Sequence, residues 1–302
     1  MDTTFALPAL APGAQSGRTV VVTGANSGLG LVTARTFAAA GAHVVLAVRD
    51  HDRGQRAAQT LPGSVEVREL DLADLASVRR FADGWGRRID ILINNAGVAN
   101  VPQRRTADGF ELQMGTNHLG HFALTNALLP HLTDRVVTVA SNAHKAAALD
   151  LDDLNWQRRP YRRGAAYAQS KLANLLFTLE LQRRLTEADS PVRALAAHPG
   201  AASTDLNRHL GPVMSAVAAT VGRFVTQSEE AGAEPTLWAA TAELPGGSYA
   251  GPDGRGEQRG HPTLVGRTPA ASDPALARDL WRVSENLTGA VWRPPHRTGT
   301  AG

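Results

Sequence analysis

Short apolar runs recur along the chain, each followed by a longer stretch with helical spacing of its apolar positions. The runs RTVVVTG (18–24), HVVLAV (43–48), SVEVREL (64–70), IDILINNAG (89–97), RVVTVAS (135–141) and VRALAAHPG (192–200) read as strands, and 247–250 as a shorter last one. Helices are expected at 30–40, about 50–60, 71–82, 109–132, 165–187, 226–243 and 273–287. Gly41 stands where the first of these needs a C-cap, and the aspartates of DLADLASVRRFA (71–82) stand where the third needs an N-cap. Strands alternating with helices predict right-handed crossovers and a mostly parallel sheet of about seven strands, covered by helices on both faces. The expected division is a loosely ordered Ala/Pro-rich lead over 1–16, one α/β domain over 17–288 and a polar tail over 289–302. Three irregular stretches, 98–108, 142–164 and 200–225, follow strand C-termini, where an open α/β sheet places its ligands.

Composition narrows the classes. The chain has 302 residues, is 43% hydrophobic and 20% charged, and so can bury a substantial core. Its net charge of +3 carries no dense basic stripe, which speaks against nucleic acid. It has no cysteine, which excludes disulfides, thiolate catalysis and thiolate metal sites. The start lacks the pattern of a signal peptide and no run is long enough to span a membrane, so a cytoplasmic protein is expected.

Chemistry enters at TGANSGLG, between the first strand and the first helix. Gly24, Gly28 and Gly30, with Asn26, Ser27 and Leu29 between them, let backbone approach a pyrophosphate at a helix N-terminus. The strand–loop–helix context favours dinucleotide binding over an ordinary turn.

The spacing TGxxxGxG, together with NNAG (94–97), Ser141 and YAQSK (167–171) in that order, resembles the short-chain dehydrogenases/reductases over about residues 17–250. NHLGHF (117–122), LAVRD (46–50) and DLADLASVR (71–79) resemble the branch with retinol dehydrogenase-like, protochlorophyllide reductase-like and WW-domain oxidoreductase-like members. The resemblance implies a single Rossmann-type, doubly wound domain. It places Asp71 and Leu72 near an adenine, Asn95, Ala96 and Gly97 along the middle of the cofactor, and Pro199, Gly200 and Thr204 around the nicotinamide. It also implies that family members often form homodimers or homotetramers.

In that family an acid selecting NAD stands 18 residues beyond the last loop glycine; here the position is Val48, followed by Arg49. An arginine fork suits a 2′-phosphate, so NADP(H) is expected over NAD(H), with Asp50 the competing feature.

The chain writes almost all its cations as arginine; only Lys145 and Lys171 are lysine, and tyrosine occurs three times. Tyr167 and Lys171 stand four apart on one helical face. A phenol ordinarily ionises near 10, and a neighbouring ammonium lowers that, so the pair suits proton transfer to or from a carbonyl oxygen. Tyr167 is the expected acid/base, Lys171 its electrostatic partner and, by resemblance, a holder of the nicotinamide ribose. Ser141 is the expected orienter of the substrate oxygen. By resemblance, Asn117 binds a water that relays protons to Lys171.

The expected reaction is NADP(H)-linked interconversion of an alcohol and a carbonyl on a partly apolar small molecule. The alternatives are a catalytically silent dinucleotide sensor and a C=C reductase. His118 and His121, three apart, read as structural rather than metal-binding, DLDDLN (150–155) lacks a Ca²⁺-loop spacing, and RRPYRR (158–163) reads as solvated surface. Lys145 has no account from sequence.

Overall fold

The computed structural model describes residues 7–201 and 227–294. Thr204 and nearly all of the 200–225 segment lie outside the described residues. The strands are β1 (Thr19–Thr23), β2 (His43–Val48), β3 (Ser64–Glu69), β4 (Ile89–Asn94), β5 (Leu132–Val139), β6 (Arg193–Ala197), β7 (Tyr249–Pro252) and β8 (Pro262–Leu264). They form one sheet in the order β3-β2-β1-β4-β5-β6-β7-β8. The first seven run parallel, and β8 pairs antiparallel with β7. The sheet has eight strands where about seven were expected. The eighth has three residues and begins with proline, so it carries almost no periodic signal, and such a strand belongs at a sheet edge. The turn before it is too short for a crossover, which forces the antiparallel return.

Covering both faces are α1 (Gly28–Ala39), α2 (His51–Ala58), α3 (Leu75–Asp83), α4 (Gly120–Leu128), α5 (Arg163–Glu187), α6 (Glu229–Thr241) and α7 (Pro274–Thr288). Alternation within a doubly covered strand divides the core. Val20 and Val22 of β1 join the cluster that includes Phe37 of α1 and Ala240 of α6. Val21 joins the opposite cluster, with Phe122 of α4, Leu176 of α5 and Trp281 of α7. Strand order reverses beside β1, between β2 and β4, and that switch point opens a crevice at the strand C-termini.

Two local expectations change. Residues 7–16 of the lead are held in place: Leu7 and Leu10 pack on the α1–α6 core, and Gln15 donates to the Ala9 and Ala40 carbonyls through its side chain and backbone, respectively. The segment 109–132 is not one continuous α-helix. A helical turn at Leu112–Met114 passes into a π-turn at Gly115–Leu119, then α4, then a 3₁₀ turn at Leu129–His131. A Cβ at Gly120 would strike the Leu72 carbonyl, so the glycine lets this helix press against the end of β3.

His118 in the π-turn and His121 at the start of α4 are both buried. His118 Nε2 meets Ser284 Oγ at 2.8 Å, and the ring lies near Phe122 and Phe177. His121 Nδ1 donates to the Asn117 carbonyl at 3.0 Å, and its Nε2 faces Thr23 Oγ1 at 2.9 Å. Burial lowers their pKa values from 6.5 to about 3 and about 4. An unfolded chain takes up protons on both rings near 6.5, whereas the folded chain does so only at those lower values, so this contribution to stability is full above pH 6.5 and lost on acidification. The thermal midpoint is therefore expected to fall from pH 7 to 4, and His118→Gln should make that fall shallower; an unchanged slope would refute the assignment.

Candidate active site

A cavity of about 740 Å³ follows the switch point from the C-terminal end of β2 to the start of α5. At its floor, Thr23 stitches β1 to β4. Its Oγ1 accepts the backbone N–H groups of Asn95 and Ala96 at 2.9 Å each, and its carbonyl accepts Asn95 Nδ2 at 2.8 Å. The side chain of Asn95 is thus committed to the scaffold while its backbone lines the cavity. Gly30 sits directly above: a Cβ there would stand 2.5 Å from Asn95 Nδ2 and 2.6 Å from the Gly24 carbonyl. Glycine therefore permits the start of α1 to lie against the strand ends, with the unpaired N–H groups of its first turn facing the cavity.

Gly24, Asn26, Ser27, Gly28, Leu29 and Gly30 all line this space. So do Arg49, Asp71 and Leu72 at one end, Ala96 and Gly97 along the middle, and Ser141, Tyr167, Lys171, Pro199 and Gly200 at the other. Asn117 does not reach it. Its Oδ1 accepts Val98 N–H at 2.8 Å, and its Nδ2 donates to the Val98 carbonyl and to Ser170 Oγ, each at 2.9 Å. With its carbonyl turned to His121 Nδ1, Asn117 braces the wall from behind.

At the β2 end, Asp50 caps α2: its Oδ1 accepts the Arg53 N–H at 2.9 Å. Arg53 also lines the cavity, beside Arg49. Along the sequence Arg53 is one arginine among many, and its place one helical turn after Arg49 is the signal that marks it. At the other end, Ser141 lies two residues past β5 and accepts Ala143 N–H at 3.2 Å. The Ser141 hydroxyl stands near enough to the Tyr167 phenol to favour its ionised form. Lys171 Nζ donates to the Val139 carbonyl at 2.9 Å and lies 5.7 Å from the centroid of the Tyr167 ring.

Charge behaves differently from the expectation here. Burial raises the Tyr167 pKa above 10, and the Ser141 hydroxyl offsets only part of that rise. Burial also lowers Lys171 from 10.5 to about 8. The ammonium that was to depress the phenol is itself weakened by the same enclosure. At neutral pH the pair is a neutral phenol beside a cation.

Around the mouth, the 158–163 cluster is only partly the solvated surface expected of it. Arg159 turns inward, 3.9 Å above the Trp156 ring and 3.5 Å from Asp153, while Arg158, Arg162 and Arg163 stay exposed. None of the helices among the described residues is long and apolar enough to cross a membrane.

A crevice at a sheet switch point, with a glycine-lined helix start at one side and Ser141, Tyr167 and Lys171 at one end, is where an open α/β sheet places its ligands. A family model for short chain dehydrogenases matches residues 18–214, and the chain belongs to that family, in its retinol dehydrogenase-like branch. Human retinol dehydrogenase 13 is 44% identical over 292 residues, covering 90% of this chain and 85% of its own. Mouse polyprenol dehydrogenase is 41% identical, covering 95% and 88%. The solved structure of an uncharacterised protein from Mycobacterium paratuberculosis is 53% identical, with a TM-score of 0.81 over 94% of this chain and 97% of that one. Among more distant structures, one described as an NAD(P)-dependent gluconate 5-dehydrogenase from Beutenbergia cavernae holds NADP (29% identity, TM-score 0.57, covering 75% and 90%). A 3-ketoacyl-(acyl-carrier-protein) reductase from Brucella melitensis holds NADH (25%, 0.59, covering 78% and 96%). The chain is an enzyme of the alcohol/carbonyl oxidoreductase class.

Proposed function

We propose that the chain interconverts an apolar alcohol and its aldehyde or ketone with NADP(H), using Tyr167 as acid/base. The observation that carries this reading is the convergence of Ser141, Tyr167 and Lys171 at one end of a cavity whose other end holds Arg49 and Arg53. The cofactor, when bound, supplies or accepts the hydride. The start of α1 and the loop before it hold the pyrophosphate, and Lys171 with the 199–200 loop holds the nicotinamide riboside. Ser141 orients the substrate oxygen. Tyr167 donates its proton to that oxygen in reduction as the neutral phenol that prevails at pH 7, and in oxidation it accepts one as the phenolate. Asn117 keeps Val98 and Ser170 in register behind the pair. The apolar substrate class is supported by two relatives whose names carry retinol and polyprenol.

Preference for NADP(H) is supported by the local geometry at the end of β2. Arg49, Asp50 and Arg53 all line this end of the cavity, but one oxygen of the Asp50 carboxylate is committed to capping α2, which leaves two arginines against one partly engaged acid. The test is initial-rate kinetics over a panel of apolar aldehydes that includes decanal and all-trans-retinal, with each cofactor. NADPH should give the higher kcat/KM, and the R49S/R53S double variant should lose about 10–100-fold of it for NADPH while changing little for NADH. A wild-type preference for NADH would overturn the cofactor assignment.

A further inference from the structure

Lys145, the lysine outside the catalytic cluster, lies on a connected path of contacts behind Ser141. Ser141 opens a 3₁₀ turn, Asn142–Ala146, and its carbonyl accepts His144 N–H at 3.1 Å and His144 Nδ1–H at 2.7 Å. From that turn, Asn142 Nδ2 donates to the Gly256 and Glu257 carbonyls at 3.2 Å each, and Lys145 Nζ donates to Glu257 Oε1 at 2.8 Å. The other carboxylate oxygen of Glu257 lies 3.2 Å from His198 Nε2. Gly200 N–H donates to His198 Nδ1 at 3.2 Å, so a neutral ring carries its proton on Nε2, toward Glu257. Burial holds His198 below its ordinary value, which keeps it neutral. The approach of Nε2 to Oε2 is close but off-line, so neither atom completes a hydrogen bond among the described residues. Ala201 N–H then reaches the Gln258 carbonyl at 2.9 Å, fastening the loop after β6 to the same turn. Between the two histidines stands the Tyr249 ring, 5.7 Å from His144 and 5.2 Å from His198.

Two features separate this from ordinary packing. Glu257 holds a left-handed backbone (φ 55°), a conformation a side chain adopts against a steric penalty. Its ion pair with Lys145 is partly solvent-exposed, at 43% and 23% of the two side chains, and contributes little to stability. What the arrangement fixes is direction. Ser141 on one side and Pro199–Gly200 on the other both line the cavity; Asn142, just beyond the first, holds the Glu257 carbonyl, and Ala201, just beyond the second, holds that of the next residue, Gln258.

We propose that Glu257, gripped by Lys145 and faced by His198, is a positioning residue that sets the Ser141 turn and the Pro199–Gly200 loop at the spacing hydride transfer requires. This rests on the function proposed above.

The experiment compares E257Q, K145M, K145R and the K145M/E257Q double variant with the wild type and Y167F. It measures kcat and KM with the best aldehyde of the panel, NADPH Kd by fluorescence titration, and Tm. E257Q and K145M should each lower kcat by about tenfold or more through sub-ångström misplacement. Tm and NADPH Kd should stay near wild type. The double variant should lose no more than the worse single one, because the two act through one contact. K145R should recover most of what K145M loses. A kcat within about twofold of wild type in E257Q, or a fall in Tm and cofactor affinity with kcat intact, overturns the proposal. Should E257Q not fold, K145M, on a half-exposed side chain, is judged by the same criteria. The two readings fail separately: full turnover by Y167F removes the proposed acid whatever Glu257 does, while a dead Y167F beside an active E257Q removes only the tether. A wild type inert on the whole panel removes both.

Discussion

Replacing Tyr167 with phenylalanine is expected to lower kcat for carbonyl reduction by about 10²–10⁴-fold and to leave NADPH binding nearly unchanged. Removing the hydroxyl takes the proton donor out of the site, beside Ser141 and Lys171. The ring remains in the helix face that packs the wall, so the change is chemical rather than structural. Burial keeps the phenol protonated well past neutrality. The reductive direction should therefore be the less pH-sensitive one, while alcohol oxidation, which needs the phenolate, should rise with pH. Single-turnover reduction monitored by NADPH absorbance isolates the step. A Y167F rate within about fivefold of wild type would remove Tyr167 from the proton path.

The second large effect is expected at Lys171. This side chain is almost fully buried, donates to the Val139 carbonyl at 2.9 Å, and has its pKa brought down from 10.5 to about 8 by burial alone. Asn174 Nδ2 shares that carbonyl at 3.2 Å, so the pocket has little spare acceptor capacity. An arginine brings five donors and a wider planar head to a place built around a compact ammonium. K171R is expected to lose about 100-fold in kcat, comparable to a misplacement of roughly 1 Å. The pH profile separates loss of geometry from loss of charge. Wild-type reductive kcat/KM should decline above about pH 8, as Lys171 loses its proton while Tyr167, with its pKa above 10, keeps its own. K171R cannot lose its charge, so its residual activity should be flat over that range. Unchanged kcat in K171R, or the same decline in both proteins, would refute the role.

The two ends of the site were legible in sequence to different degrees. The parallel strands announce themselves because a strand covered on both faces carries a continuous apolar run, as VVV in β1, VVLAV in β2 and ILI in β4. The loop 24–30 and the pair Tyr167–Lys171 are local, so spacing alone places them. By contrast β8 has three residues and an opening proline, and periodicity has nothing to register. The break in 109–132 was marked by Gly115 and Gly120, but the reason for them, contact with Thr106 and Leu72, lies far away in sequence. Arg53 was hidden by arginine's abundance on helix surfaces. The partner of Lys145 stands 112 residues later on a turn that no local pattern identifies. The rise in Tyr167's pKa was likewise beyond sequence, because it depends on how much water the folded wall excludes.

The cap on α2 has a bearing on how readily cofactor preference can be changed. Asp50 accepts the Arg53 N–H and thereby begins the helix that carries Arg53 to the cavity. One of its carboxylate oxygens thus starts the helix, while Asp50 itself lines the cavity beside Arg49 and Arg53. Recruiting Asp50 toward a ribose would forfeit an N-cap worth about 1 kcal/mol and loosen the helix that presents Arg53. A new acid at Val48 would meet a different cost, because that strand-end position is 1% exposed within the apolar core and an unpaired carboxylate there would lose its solvation.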